Sequence, residues 1–127
     1  MEFSVESKKK TEVIDITAKV RSYVENRISE GTCLIYTPHT TAAIVINEYE
    51  PLLEEDMLGL FDKIVPKGKY RHDEVDNNAA AHLKSIIFGQ VKAIPIIDGK
   101  LTLGDWQSLL FCEFDGPRKR KVILQIK

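Results

Sequence analysis

The chain has 127 residues, of which 43% are apolar and 29% charged. That length suits one domain, residues 1–127, and that composition excludes wholesale disorder. Eighteen Lys and Arg against nineteen Asp and Glu leave a net charge of −1, which argues against a strongly basic nucleic-acid binder and an acidic tail protein.

The first residues, Met1-Glu2-Phe3-Ser4, carry no basic segment followed by an apolar stretch, so no secretory signal is expected. No apolar run is long enough for a membrane helix. The expected setting is cytoplasmic, with no nucleic acid and no membrane as partner. Phe3 to Lys9 alternates and predicts a strand, with Lys8-Lys9-Lys10 as its solvated end. Asp15 or Thr17 caps a predicted helix whose apolar positions are Val20, Tyr23, Val24 and Ile28, and Gly31 ends that region. Thr32 to Thr37 and Ala42 to Asn47 are rich in β-branched residues and predict strands, joined through Pro38-His39-Thr40-Thr41.

Pro51 suits the first turn of a second helix, with Leu53, Met57, Leu60, Phe61 and Ile64 as its apolar stripe. Glu50, Glu54, Glu55 and Asp56 crowd its positive end. After the loop Pro66-Lys67-Gly68-Lys69, Asn77 or Asn78 caps a third helix that runs to about Phe88 and stops at Gly89. Val91 to Ile97, Lys100 to Leu103, Trp106 to Phe114 and Lys121 to Ile126 predict strands, with Asp98-Gly99 as a hairpin turn. Strands and helices mix without strict alternation. The fold class expected is α+β, a single compact domain with a curved, largely antiparallel sheet and about three helices. Cys33 and Cys112 lie in apolar runs without CxxC spacing and read as small buried hydrophobes.

Four segments hold the residue types that do chemistry. The three histidines, His39, His72 and His82, lie in polar or small-residue stretches, and Asn78 and His82 share a helix face. Three imidazoles suit an open catalytic zinc site, although none of their intervals is a recognised ligand spacing, and hydrogen-bonded structural histidines fit as well. In Glu113-Phe114-Asp115-Gly116-Pro117-Arg118 the two carboxylates share a strand face and the turn presents Arg118. That set suits a divalent cation with a phosphate, or simply local ion pairs at a hairpin end. Trp106 and Gln107 after Gly104 suit stacking on a flat heterocycle, or a core tryptophan beside a strand glutamine. Glu48 after Asn47 is either a site carboxylate or the start of a polar loop. Phosphate-loop, dinucleotide, zincin and nucleophile-elbow motifs are absent from the sequence.

Read in order, Thr37-Pro38-His39-Thr40-Thr41-Ala42-Ala43, Ile46-Asn47-Glu48, Tyr70-Arg71-His72, Asn78-Ala79-Ala80-Ala81-His82-Leu83-Lys84, Leu101-Thr102-Leu103-Gly104-Asp105-Trp106-Gln107 and Glu113-Phe114-Asp115-Gly116-Pro117-Arg118-Lys119-Arg120 resemble the YjbQ family over nearly the whole chain. That family is often labelled secondary thiamine-phosphate synthase. The resemblance implies a homotrimer of α+β subunits whose shared polar residues gather in one pocket. It implies His39, Glu48, His82 and Arg118 as catalytic residues. Thr40, Thr41, Asn47, Asn78, Gly104, Trp106, Gln107 and Glu113 would bind substrate, and His39, His72 and His82 a metal, zinc or magnesium. The activity implied joins a pyrimidine pyrophosphate to a thiazole phosphate. A zinc-dependent hydrolase of another small substrate and a non-catalytic small-ligand-binding protein are the alternatives. One departure stands out: many members carry Asp where this chain has Ala80.

Overall fold

The computed structural model describes residues 1–127. Its elements run β1 (Glu2–Glu6), β2 (Glu12–Asp15), α1 (Thr17–Val24), β3 (Glu30–Tyr36), β4 (Ala42–Asn47), α2 (Pro51–Ile64), α3 (Ala79–Phe88), β5 (Val91–Ile97), β6 (Lys100–Leu101), β7 (Ser108–Glu113) and β8 (Lys119–Ile126). One 3-10 turn, Arg71–Glu74, precedes α3. The class is α+β, as the sequence predicts, but the strands divide into two sheets. The larger has the order β1-β8-β3-β5-β6 and the smaller β2-β7-β4, with every pairing antiparallel.

Burial explains the division. Ile35, Ile94 and Val122 of the large sheet face Ile44, Leu109 and Phe111 of the small one, and Val20 and Val24 of α1 join this main core. The other face of the small sheet, with Ala43, Leu110 and Cys112, packs against Phe61 of α2 and Ala81 of α3. The small sheet is therefore a middle layer. A strand covered on both faces needs no polar alternation, and the runs Ala42–Ile46 and Leu109–Cys112 have none.

Local chemistry sets the ends of the elements. Asp15 Oδ1 accepts the Thr17 N–H at 2.9 Å and so satisfies one free donor at the start of α1. Glu50 is the N-cap of α2 and accepts the Leu52 and Leu53 N–H groups at 3.0 and 2.8 Å. Asp98 and Gly99 both have positive φ, 53° and 76°, as a two-residue type I′ hairpin requires.

Element boundaries differ from those that the sequence predicts: β6 ends at Leu101 rather than Leu103, and β3 and β8 begin at Glu30 and Lys119 rather than Thr32 and Lys121. β2 was not foreseen, because four residues with charged ends give too short a pattern. The first helix stops at Val24 rather than Ile28, and the first strand stops at Glu6 rather than Lys9. The penultimate strand starts at Ser108, leaving Trp106 in a turn with 76% of its surface exposed. The core-tryptophan alternative is thereby corrected. Cys33 and Cys112 are buried free thiols, as read, and burial pushes their pKa values up to about 11 and about 12.

Ile44 is wholly buried between the two sheets. Ile44→Ala is expected to lower unfolding free energy by about 2–5 kcal/mol, read from urea denaturation midpoints at constant slope.

Candidate functional site

The predicted site residues fall into two groups at opposite ends of the small sheet. Ala42 pairs with Glu113 at one end, and Asn47 pairs with Ser108 at the other. Five residue steps separate them along β4, roughly 17 Å of extended chain.

The Glu113 end is built on a buried ion pair. Glu113 ends β7 and is 0% exposed, while Arg120 lies near the start of β8 and is 5% exposed. Arg120 donates from Nε to Glu113 Oε1 at 2.8 Å and from Nη2 to Glu113 Oε2, a fork-on-fork pair. Arg120 Nη2 also donates to Thr41 Oγ1 at 2.8 Å, and Ser7 Oγ donates to Glu113 Oε1 at 2.7 Å. Burial alone would raise the Glu113 pKa. The hydrogen bonds from Arg120, Ser7 and the Asp115 N–H outweigh it and hold the carboxyl ionised and below its usual range. Glu113 and Thr41 are thus engaged beneath the surface, and their side chains serve as scaffold.

Above this pair sits the turn Asp115-Gly116-Pro117-Arg118. Its backbone is clamped to the segment after β1. The Ser7 N–H donates to Arg118 O at 2.9 Å, the Arg118 N–H to Ser7 Oγ at 2.9 Å and the Gly116 N–H to Lys10 O at 2.9 Å. Gly116 is needed for that approach: a Cβ there would lie 2.2 Å from Lys9 O. Asp115 collects three donors, from Lys10 Nζ, from Asn78 Nδ2 at 2.9 Å and from Arg118 Nη2 at 3.0 Å. Burial would raise its pKa, but these three bonds win and hold it at about 2. Arg118 Nε donates to Asp115 O at 2.7 Å, yet 54% of the Arg118 side chain stays exposed. Its guanidinium is oriented but only partly used.

The histidines do not converge. His39 Nε2 accepts the Lys121 N–H at 2.9 Å. Burial and then the Arg120 charge lower its pKa, so it is neutral and carries its proton on Nδ1. It borders a surface cavity of about 420 Å³ with Tyr36, Thr40 and Gln90. His72 and His82 meet edge to face, with ring centroids 4.8 Å apart. No three His, Cys, Asp or Glu side chains form a group able to hold a metal ion. Of the three histidines, His72 and His82 are the pair that meets.

The far end holds the other group. Asn47 Oδ1 accepts the Glu48 N–H at 2.7 Å, and Gln107 Oε1 accepts the Gly104 N–H at 2.8 Å. Gln107 thus closes its own turn and leaves Trp106 exposed. Two residues in contact with the Asp115 cluster were not among the predicted site residues. Asp73 Oδ1 accepts the Ala79 N–H at 2.9 Å beside Asn78, and Lys10 reaches Asp115. The Lys8–Lys10 run reads as solvated, and only the contact with the Gly116 turn singles out its last member.

The sequence matches the family described as UPF0047 protein YjbQ-like across residues 1–127. The chain belongs to the YjbQ-like family. A relative from Archaeoglobus fulgidus is 52% identical over 98% of both chains, and YugU of Bacillus subtilis is 41% identical over 96% of this chain and 94% of its own. A solved structure from Sulfolobus solfataricus, a protein of unknown function, superposes with a TM-score of 0.96 at 37% identity, covering 99% of this chain and 94% of that one. A Clostridium acetobutylicum member of the same family superposes with a TM-score of 0.93 at 43% identity, covering 100% and 99%. No helix of this YjbQ-like chain is long and apolar enough to cross a membrane.

Asp115 makes the site acid-sensitive. Its folded pKa lies below the ordinary value of 3.8. Its stabilisation is complete above pH 4 and is lost as pH falls from about 4 to about 2. Lys10 and Arg118 both reach water, so the loss is expected to be about 1–2 kcal/mol. Urea unfolding of the parent and of Asp115→Asn across that interval should show the slope in the parent and a flatter line in the variant.

Proposed function

We propose that this YjbQ-like protein is a small-molecule enzyme that binds a phosphorylated substrate at the Asp115–Arg118 turn, its reaction being the joining of a pyrimidine pyrophosphate to a thiazole phosphate. The observation that carries this reading is Arg118. Its guanidinium is held by two hydrogen bonds to Asp115 while half of the side chain faces solvent. A cation whose orientation is set before ligand arrives is suited to charge that grows on a leaving group.

In this reaction the thiazole nitrogen forms a bond to the benzylic-type carbon of the pyrimidine. The bond from that carbon to the pyrophosphate oxygen breaks, and the electron pair leaves with the pyrophosphate. Arg118 stabilises that departing charge through the N–H groups that Asp115 does not occupy. Asp115 positions Arg118, and the Glu113–Arg120 pair positions the turn that carries both. His82 follows Asn78 by one helical turn and is half-buried, which suits a contact to the ligand.

Glu48, Trp106 and Gln107 lie at the far end of the small sheet, too distant to act with Arg118 of the same chain. A homotrimer in which the Trp106 end of one subunit meets the Arg118 turn of the next would supply the stacking wall for the pyrimidine. The exposure of Trp106 supports that arrangement. The zinc-hydrolase alternative has less support, because His39 Nε2 is engaged by the Lys121 N–H and no three His, Cys, Asp or Glu side chains form a group able to hold a metal ion.

The test is product formation. Protein mixed with the two phosphorylated substrates should yield thiamine phosphate and pyrophosphate, and Arg118→Ala should reduce the rate by about a hundredfold or more. Trp106→Ala should reduce it about tenfold, and sedimentation equilibrium should give three chains per particle. Absence of product with the parent protein would overturn the reaction, and a monomer would overturn the shared site.

A further inference from the structure

A second cleft lies beside the Asp115 cluster, and Arg118 is not part of its lining. It runs between the end of α2, the loop at Lys67 and Tyr70, the start of α3 and the Lys10–Thr11 segment, with Phe114 also in its wall. Its volume is about 420 Å³. None of the reaction described above uses it.

Its wall contains a lysine in an unusual setting. Lys84 is only 6% exposed. An ammonium withdrawn from water is costly unless its charge and its three N–H donors are matched. Lys84 Nζ makes one hydrogen bond, to Asp62 Oδ1 at 2.9 Å, and the Asp62 side chain is itself 74% in solvent. Its other neighbour is the face of Phe114, at 5.9 Å from the ring centroid. Two donors are left over at the wall of a cleft.

The start of α3 adds to this. Asp73 satisfies the Ala79 N–H, and the Ala81 and His82 N–H groups bond to Asn78 O. The Ala80 N–H has no partner in the chain. Ala80 lines the cleft one helical turn before Lys84, so both lie on one face of α3. Lys10 and Lys67 also line the cleft, as do the carboxylates Asp62 and Asp73, which are engaged by Lys84 and the Ala79 N–H. The polar wall is thus left unfinished by the chain's own groups.

We infer that this cleft is a binding site for a phosphate-bearing small molecule, held by Lys84, the Ala80 N–H and the donors that Lys10 does not give to Asp115, and distinct from the exposed Arg118 guanidinium. A phosphate has the acceptor oxygens that Lys84 and Ala80 lack, and its charge suits the N-terminal end of α3. The small side chain of Ala80 leaves the helix end open, whereas a carboxylate there would occupy it. This inference does not rest on the thiamine-phosphate reaction.

The experiment is a titration of the full chain with inorganic phosphate and with pyrophosphate, followed by amide nitrogen–proton NMR. The Ala80 amide should shift saturably. Lys84→Met keeps the buried stem and removes the charge, and Ala80→Asp puts a carboxylate where a helix start accepts one. Each should weaken binding about tenfold or more, while Arg118→Ala should leave it within about threefold. No saturable shift by about 20 mM ligand would overturn the site. Binding lost in Arg118→Ala but kept in Lys84→Met would overturn it as well. Failure to make thiamine phosphate would leave this titration unaffected, so the two proposals fail separately.

Discussion

The ion pair between Glu113 and Arg120 is the interaction on which the polar end of the molecule depends. Its carboxylate ends a strand of the small sheet, and its guanidinium lies on a strand of the large one. Thr41, just before β4, and Ser7, just after β1, complete it. Three stretches that are remote in sequence, at Ser7, Thr41 and Glu113–Arg120, are thus tied at one point. A buried pair of this kind gives little net stability compared with apolar residues of the same shape, because both ions leave water. Its value here is positional. With both carboxylate oxygens and the Nε and Nη2 of Arg120 engaged, it fixes how the two sheets meet, and the turn bearing Asp115 and Arg118 stands directly on that junction.

The rest of the site follows from that placement. Asp115 faces outward from the junction and gathers Lys10 from the segment after β1, Asn78 from the start of α3 and Arg118 from its own turn. One carboxylate thus ties the exposed Arg118 to Lys10 and Asn78, two residues that line the Lys84 cleft. The far end of the same sheet holds Trp106 and Gln107 on a turn that closes on itself, with no comparable network to bind it to the first.

Much of the fold was legible because its physics is local. The stripe of α2, the Glu50 cap, the Asp98-Gly99 turn and the β-branched runs of β3, β4 and β5 each carry their own signal. The runs of β4 and β7 carry no polar alternation, a pattern whose meaning is plain only once both faces are seen covered. That burial on both faces meant a middle layer, with two sheets in place of one, depends on which helix covers which face, and no local pattern reports that. The site was legible in its parts and not in its grouping. His39, Asn78, Glu113 and Arg118 were singled out with Trp106, Gln107 and Glu48 as one pocket, but a strand's length places them at two ends. Lys84 reads as an ordinary helix lysine, and its burial arises from Phe114 and the α2–α3 packing. The motif around Asp115-Gly116-Pro117-Arg118 showed that the turn matters. The role of Arg120 as the buried partner of Glu113 needed the register of β8 against β1.

The most direct test of this account is native-state hydrogen exchange in Arg120→Met. If the buried pair positions the site, protection of the Gly116 and Arg118 amides, which bond to Lys10 O and Ser7 Oγ, should fall far more than that of Val122 and Leu124 in the core of β8. Equal loss throughout the chain would make the pair a general stabiliser, and unchanged protection at Gly116 and Arg118 would show that the turn stands without it; either result would contradict the account.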